Sequence, residues 1–177
     1  MDEENKLVEE RRAKLKALRA RGPAFPNDFA REHYAADLAA THGAAANETL
    51  EASPVKVKVA GRLMLKRVMG KACFGTIRDM TGSIQVFVSE SDAGSEALAA
   101  YKQYDLADIV GVAGELFKTR TGELTVKVKT LRLLAKSLRP LPEKFKGLTD
   151  QEIKYRQRYV DLVMNEETRQ VFRARSR

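Results

Sequence analysis

The stretch that decides the fold runs from Val55 to Lys66 and reads VKVKVAGRLMLK. Its odd-numbered positions are aliphatic or glycine, and lysine or arginine fills four of the six even-numbered ones. A period of two puts successive side chains on opposite faces of a strand. Gly61, near its middle, indicates a sharp bend or a close backbone approach, as a strand needs when it curls around a small barrel. The stretch therefore predicts a long, half-buried strand in a curved sheet.

The segments that follow continue the sheet. We predict strands at Ala72–Asp79 and Ser83–Ser89, a helix at Ser95–Tyr104, and a second hairpin from strands at Ile109–Lys118 and Glu123–Leu134. Three strands, a helix and two strands are the order of an OB-fold, a five-stranded, nearly closed barrel that binds oligonucleotides or oligosaccharides. The predicted fold class is mainly β with flanking helices, although a fold alone indicates function only by association.

Residues 1–54 are predicted to form a helical arm ahead of the barrel. A first helix spans Asp2–Arg21, and a second, capped by Asn27 or Asp28, ends near Gly43. Residues 44–54 are predicted to be a connection.

Residues 135–177 are predicted to contain a linker and helices. Residues 135–147 form an irregular linker, after which Thr149 and Glu152 make a capping box for a helix through about Asp161. Asn165 is predicted to start a further helix. The predicted domains are therefore 1–54, 55–134 and 135–177.

Composition and charge limit the function classes. Of the 177 residues, 44% are hydrophobic and 32% charged, and the first 21 contain no apolar signal segment, so we expect a cytoplasmic protein without a membrane partner. Cys73 is the single cysteine, which excludes an intramolecular disulfide. The net charge is −2 for residues 1–54 but +5 for residues 55–134 and +5 for residues 135–177. A basic folded segment suggests an anionic partner such as nucleic acid, although this signal is weak alone.

The candidate binding residues come from pairing the second and third strands across a two-residue loop, Met80-Thr81. That register places three cross-strand pairs on one face: Arg78 with Ser83, Thr76 with Gln85, and Phe74 with Phe87. The opposite face is apolar or small and suits the barrel interior. Aromatic rings stack on unpaired bases and an amide can read a base edge, so the outer face suits single-stranded nucleic acid.

A structural alternative explains the same residues. Phe74 and Phe87 could form a cross-strand pair covered by the amino-terminal helices, and a register slip of one residue would bury Phe74. The basic strip that includes Arg62 could be a solvated strand face. Gly70-Lys71 resembles the end of a phosphate loop, but Leu65 stands where the motif requires Gly. We therefore predict no catalytic residue and no metal site in these 177 residues.

Five stretches of the sequence carry a resemblance to a known family. The most specific are RPLPEKFKGLTDQE from Arg139 and YRQRYVDL from Tyr155, which resemble the segment joining the two domains of bacterial lysyl-tRNA synthetases, a class II family. The barrel stretches AGR, MGKA and LFKTRTGE, from Ala60, Met69 and Leu116, are similar to the same family. Aspartyl and asparaginyl synthetases share the barrel type but not the linker sequence. The resemblance covers roughly residues 25–177.

The resemblance implies an anticodon-binding region of an enzyme that, when complete, is a homodimer and attaches lysine to its tRNA using ATP and Mg²⁺. It implies that Phe74 stacks on the central uridine of the anticodon, that Gln85 reads that base, and that Glu123 makes a further anticodon contact. Lys66 and Arg67 match a basic pair of the family, in which Lys66 replaces the commoner Arg.

The resemblance also bears on what the chain can do alone. FRARS, from Phe172, resembles the start of the first class II motif, so the ATP-binding motifs would lie beyond Arg177. We expect no cofactor, no aminoacylation, and a monomer or weak dimer for this fragment. Lys118, Arg120 and Arg62 are predicted phosphate contacts. The alternative functions are a sequence-indifferent single-strand binder with the same barrel and a protein-interaction module.

Overall fold

Five strands and seven helices make up the part of the chain that the computed structural model describes, which is residues 3–142, 148 and 150–177. The chain divides into two compact units, Met1–Arg139 and Pro140–Arg177. The strands are β1 (Lys56–Met69), β2 (Ala72–Arg78), β3 (Ser83–Ser89), β4 (Ile109–Lys118) and β5 (Leu124–Ala135). The helices are α1 (Glu3–Arg21), α2 (Ala35–His42), α3 (Asn47–Ala52), α4 (Glu90–Gln103), α5 (Gln151–Arg156), α6 (Arg158–Met164) and α7 (Glu166–Arg175).

The strands close into a barrel in the order β1-β2-β3-β5-β4. All neighbours are antiparallel except β3 and β5, which are parallel. Closure gives every strand two neighbours and so removes the free edges of a short sheet. The predicted order of three strands, a helix and two strands is confirmed, and so is the OB-fold.

Every second side chain along the strands points into the barrel interior and fills it. Cys73 and Ile77 of β2 and Val86 and Val88 of β3 are at most 2% exposed. The predicted pairing of these two strands is confirmed residue for residue, from Arg78 opposite Ser83 to Phe74 opposite Phe87. The turn residues between the strands are those predicted.

Two glycines let other groups come close to the barrel strands. A Cβ at Gly61 would lie 2.6 Å from the carbonyl oxygen of Arg78, so the close backbone approach predicted for this residue is confirmed. The register of β1 against β2 then shifts between Leu63 and Leu65, where β1 bends. At Gly75 a Cβ would lie 2.0 Å from the hydroxyl of Tyr101, a fully buried residue of α4.

The second helix starts later than predicted. Residues 27–34 form neither helix nor strand, and the backbone N–H groups of Glu32 and His33 both donate to the Lys58 carbonyl on β1. The first N–H groups of α2 are capped from the β2–β3 turn, where Asp79 accepts from Ala35 at 2.8 Å. Because these partners are distant in sequence, local capping signals misplaced the helix start at Asn27 or Asp28.

The end of the arm also differs from the prediction. Gly43 does end α2, as predicted. Residues 44–54, predicted to be a connection, contain the short helix α3. Its first residue, Asn47, accepts a hydrogen bond from the Lys118 backbone N–H at 2.8 Å, which ties α3 to the end of β4.

Buried charges hold α1 and the residues after β5 on the barrel. Lys136, with a side chain 2% exposed, contacts Asp105 at 2.5 Å and the fully buried Asp108 at 2.8 Å. Lys14 of α1 reaches Asp105 at 2.7 Å. Burial raises the pKa of Asp105, but the hydrogen bonds from the two lysines outweigh it, so this pKa lies below its ordinary value of 3.8. Arg11 donates to the carbonyl of Arg139 at 3.0 Å.

The Pro140–Arg177 unit contains the last three helices. Asp150 caps α5 by accepting from the Ile153 N–H at 3.0 Å, and the predicted cap, Thr149, lies outside the described residues. The helix predicted to continue through Asp161 is interrupted at Gln157. The buried Asp161 carboxylate accepts from Arg158, Asn165 and Thr168. Asn165 precedes α7, as predicted. None of the helices in the described part of the chain is both long and apolar enough to cross a bilayer.

Candidate nucleic-acid interface

Two rows of side chains cross the outer face of the barrel. Strand register gives the first row as Thr76, Gln85, Thr125 and Phe117. The second row is Phe74, Phe87, Lys127 and Glu115. Residues directly opposite each other on neighbouring strands project to the same side of a sheet. Each row therefore combines aromatic and polar groups on one surface.

Three phenylalanine rings form a cluster on this face. The ring centroids of Phe74 and Phe87 are 4.8 Å apart, and those of Phe87 and Phe117 are 5.9 Å apart. All three residues are half-buried, so the cross-strand pair of the structural alternative exists while part of the aromatic surface remains open. The Lys127 ammonium lies 5.4 Å from the centroid of the Phe117 ring. Rings beside a cation suit the stacking of bases and the binding of their phosphates.

The amide of Gln85 is held between two other polar side chains. Its Nε2 donates to a carboxylate oxygen of Glu123 at 2.6 Å, and its Oε1 accepts from the hydroxyl of Thr125 at 2.9 Å. Glu123 is exposed, in the loop before β5, whereas Thr125 is fully buried. A primary amide has two N–H groups and two lone pairs. One of each therefore remains for a base edge.

The basic pair of β1, Lys66 and Arg67, has one member in each of two different environments. Lys66 is half-buried, and its ammonium donates to the carbonyls of Lys102 at 2.7 Å and Tyr104 at 2.6 Å, at the end of α4. Burial lowers the Lys66 pKa, partly opposed by the Asp105 charge. Arg67 is exposed and pairs with Phe74 in the β1–β2 register. Its guanidinium is thus the more accessible of the two charges.

The three predicted phosphate contacts also differ in their surroundings. Arg120 is exposed in the loop between β4 and β5. Lys118 is the last residue of β4, and its ammonium donates to the Gly43 carbonyl at 2.7 Å, which leaves two N–H groups. Arg62 is half-buried and donates to the Ala107 carbonyl at 2.8 Å, and burial lowers its pKa.

Four residues of the two rows were not singled out from the sequence. Phe117 and Glu115 on β4 and Lys127 on β5 occupy outward-facing positions, so the alternation of those strands was the available signal. Thr125 gave no such signal, because its role depends on the parallel pairing of β3 with β5. Within the described ranges, no group of three or more histidine, cysteine, aspartate or glutamate residues could hold a metal ion.

Comparison with known proteins gives a family and a set of relatives. Residues 57–134 match the tRNA anticodon family, described as an OB-fold nucleic acid binding domain. The chain is 60% identical over 174 residues to a lysine–tRNA ligase of Dechloromonas aromatica, an alignment that covers 98% of this chain and 35% of that protein. It is 58% identical to the lysine–tRNA ligases of Burkholderia ambifaria and Cupriavidus taiwanensis, covering 99% and 98% of this chain and 34% of each relative.

These matches agree with the barrel fold. The chain spans about a third of the length of the curated relatives that it matches. The chain is therefore similar over nearly its whole length to part of the lysine–tRNA ligases, and its residues 57–134 match an OB-fold nucleic acid binding domain.

Proposed function

We propose that this chain binds the anticodon of lysine-accepting tRNA on the outer face of its barrel, as the amino-terminal part of a lysyl-tRNA synthetase. The observation that carries the proposal is the oriented Gln85 amide, fixed by Glu123 and Thr125 on the same face as the three phenylalanine rings. An amide reads a base edge while an aromatic ring accepts its face. Those are the two contacts that an unpaired anticodon base requires.

Each site residue has a distinct role in the proposal. Phe74 stacks on the central base, Gln85 pairs with its edge, and the free lone pairs of Glu123 accept from a base amino group. Glu123 cannot contact a phosphate, since two anions repel.

The basic side chains are proposed to act on the RNA backbone. Arg67 and Arg120 contact phosphates directly, because both are exposed. Lys118 contributes with its two remaining N–H groups. Lys66 and Arg62 add positive potential near the RNA while their bonded N–H groups hold protein carbonyls.

The complete protein is proposed to be a cytoplasmic homodimer that attaches lysine to its tRNA using ATP and Mg²⁺. In this division, residues 1–54 are an amino-terminal arm, residues 55–134 bind the anticodon, and residues 135–177 lead into the catalytic domain. The 177-residue chain alone is proposed to be a monomer or weak dimer that does not aminoacylate. Lysine-dependent pyrophosphate exchange by the pure chain would contradict this, and sedimentation at low micromolar concentration tests its assembly.

One titration separates the proposal from its alternatives. The chain is titrated with lysine-accepting tRNA, the same tRNA with an altered middle anticodon base, and an unrelated oligonucleotide. We expect the first to bind most tightly. Equal binding of all three would indicate a sequence-indifferent single-strand binder, and binding of none at modest salt would indicate a protein-interaction module.

Two substitutions then test the assignment of roles. Gln85→Ala should weaken binding of the unaltered tRNA more than that of the altered one, because the lost contact reads the base. Arg120→Ala should weaken both equally and reduce the slope of log affinity against log salt by up to about one unit. The assignment is wrong if Gln85→Ala lowers both affinities equally, or if Arg120→Ala changes discrimination and leaves the salt slope unchanged.

A further inference from the structure

The orientation of the Gln85 amide follows from the chemistry of its two neighbours. An ionised carboxylate only accepts hydrogen bonds, so the amide atom 2.6 Å from the Glu123 carboxylate must be the nitrogen. The other amide atom is then the oxygen, and it lies 2.9 Å from the Thr125 hydroxyl, which can donate to it. Rotating the amide by 180° would place its oxygen against the carboxylate and leave the charge facing a lone pair.

Thr125 is well placed to maintain this arrangement. Its side chain is fully buried, and strand register pairs it directly with Gln85 across the parallel β3–β5 contact. The same hydroxyl lies 3.0 Å from the backbone carbonyl of Glu123. One buried group therefore contacts both the base-reading amide and the backbone of the residue that orients it.

We propose that Thr125 is a specificity-determining positioning residue that, with Glu123, locks the Gln85 amide in the orientation that accepts uracil and rejects cytosine. This inference rests on the proposed function, because it concerns the base that Gln85 reads. Thr125 does not touch the RNA in the proposal, and acts through Gln85.

The discrimination follows from the donor and acceptor patterns of the two pyrimidines. Uracil presents an N3–H donor beside the O4 acceptor, whereas cytosine presents the N3 acceptor beside an N4–H donor. The two patterns are exchanged relative to each other. A locked amide holds its free lone pair and its free N–H at fixed positions, so it fits the donor and acceptor pattern of one pyrimidine. An amide that can flip by 180° exchanges its own donor and acceptor, so it fits the patterns of both pyrimidines.

The experiment measures the dissociation constants of the 177-residue chain for two anticodon stem-loop RNAs, with uridine or cytidine at the middle anticodon position. Thr125→Val removes the hydroxyl and keeps the shape of the buried side chain. Thr125→Ser keeps the hydroxyl. Thr130→Val, the same change at an exposed position of β5, is the matched control.

We expect Thr125→Val to reduce the ratio of the cytidine to the uridine dissociation constant by roughly 2- to 12-fold, the range that one neutral hydrogen bond supports. Thr125→Ser should restore most of the ratio, and Thr130→Val should leave it unchanged. A purely structural role for Thr125 would instead weaken both RNAs in proportion. That proportional result would overturn the inference.

A second readout needs no RNA. Any glutamine amide gives two separate proton signals, because rotation about its C–N bond is slow. In ¹⁵N-correlated NMR spectra of the free chain, we therefore expect the positions of the Gln85 signals to differ from those of exposed glutamines, to move toward them in Thr125→Val, and to return in Thr125→Ser. Unchanged signals in Thr125→Val would show that the lock does not depend on the hydroxyl and would overturn the inference.

The inference and the proposed function fail in different ways. If Gln85→Ala abolishes discrimination between the two RNAs while Thr125→Val preserves it, the proposed function stands and the inference fails. If Gln85→Ala leaves the ratio unchanged, Gln85 reads no base, and the inference fails together with the proposed reading of the anticodon.

Discussion

Replacing Lys136 with methionine removes a cation that contacts the fully buried Asp108 carboxylate. The Lys136 ammonium contacts both oxygens of Asp108, at 2.9 and 2.8 Å, and the carboxylate also accepts from the backbone N–H groups of Ser137 and Asp105. The side chains of Lys136 and Asp108 are 2% and 0% exposed. Breaking a buried ion pair from one side costs about 3–5 kcal/mol, because the remaining charge stays buried without its partner. We expect Lys136→Met to lower the free energy of unfolding by that amount.

The chain offers a matched control for this change. Lys129, on β5, pairs with Asp92 at 2.9 Å, but its side chain is 44% exposed. Lys129→Met makes the same substitution at almost the same ion-pair distance, so the two variants differ mainly in burial. An exposed ion pair contributes about 0.2–1 kcal/mol, and we expect a loss in that range.

Equilibrium urea denaturation, followed by circular dichroism, gives the free energies of unfolding. A double variant, Lys136→Met with Asp108→Asn, also removes the buried negative charge, and we expect it to be less destabilised than the two single changes would sum to. If Lys136→Met costs no more than Lys129→Met, the buried network does not hold the barrel to the segment after β5, and the reasoning is refuted.

Three further predictions concern packing, binding and pH. Gly75→Ala should destabilise the chain by about 1–3 kcal/mol, because the added Cβ would lie 2.0 Å from the Tyr101 hydroxyl. Gly82→Ala is the control and should be tolerated, since its Cβ would have no contact closer than 3.7 Å. Thermal unfolding of the two variants compares their stabilities. Phe74→Ala should weaken binding of the anticodon stem-loop by about 1–3 kcal/mol in an anisotropy titration, and an unchanged affinity would exclude stacking on this ring. Asp105 has a folded-state pKa below 3.8, so its stabilising contribution should be complete above that pH and lost as the pH falls from there through the folded pKa. Asp105→Asn should therefore be less stable than the native chain at about pH 6 and should show a smaller loss of stability on acidification to about pH 3.

The outer face of the barrel shows how the fold prepares a surface for recognition. Strand pairing alone brings Gln85, Thr125 and Phe117 into one row, although they come from three strands separated in sequence. Hydrogen bonds within the free chain already orient the amide. A side chain held in one orientation before binding loses less conformational entropy on binding than a free one, which favours selectivity for one base.

The sequence by itself determined the barrel and the register of its central hairpin. Alternation in Val55–Lys66 and across the β2–β3 turn favours the pairing that buries the aliphatic side chains of these strands, because a slip of one residue would turn those side chains outward. Phe74 and Gln85 could therefore be placed on the outer face before the structure was known. Gly61 signalled a close backbone approach for a similarly local reason, the absence of a Cβ.

The tertiary structure decided the features whose partners are distant along the chain. The start of α2 depends on Asp79, more than 40 residues away, and in the non-helical segment before it Glu32 and His33 donate to a carbonyl of β1. The parallel pairing of β3 with β5 brings Thr125 and Glu123 to Gln85, and no local pattern encodes a contact between strands that are not consecutive. The spacing of apolar residues along a strand follows from the geometry of that strand alone. The residues that contact helix caps, buried ions and base-reading side chains come together only when the barrel closes.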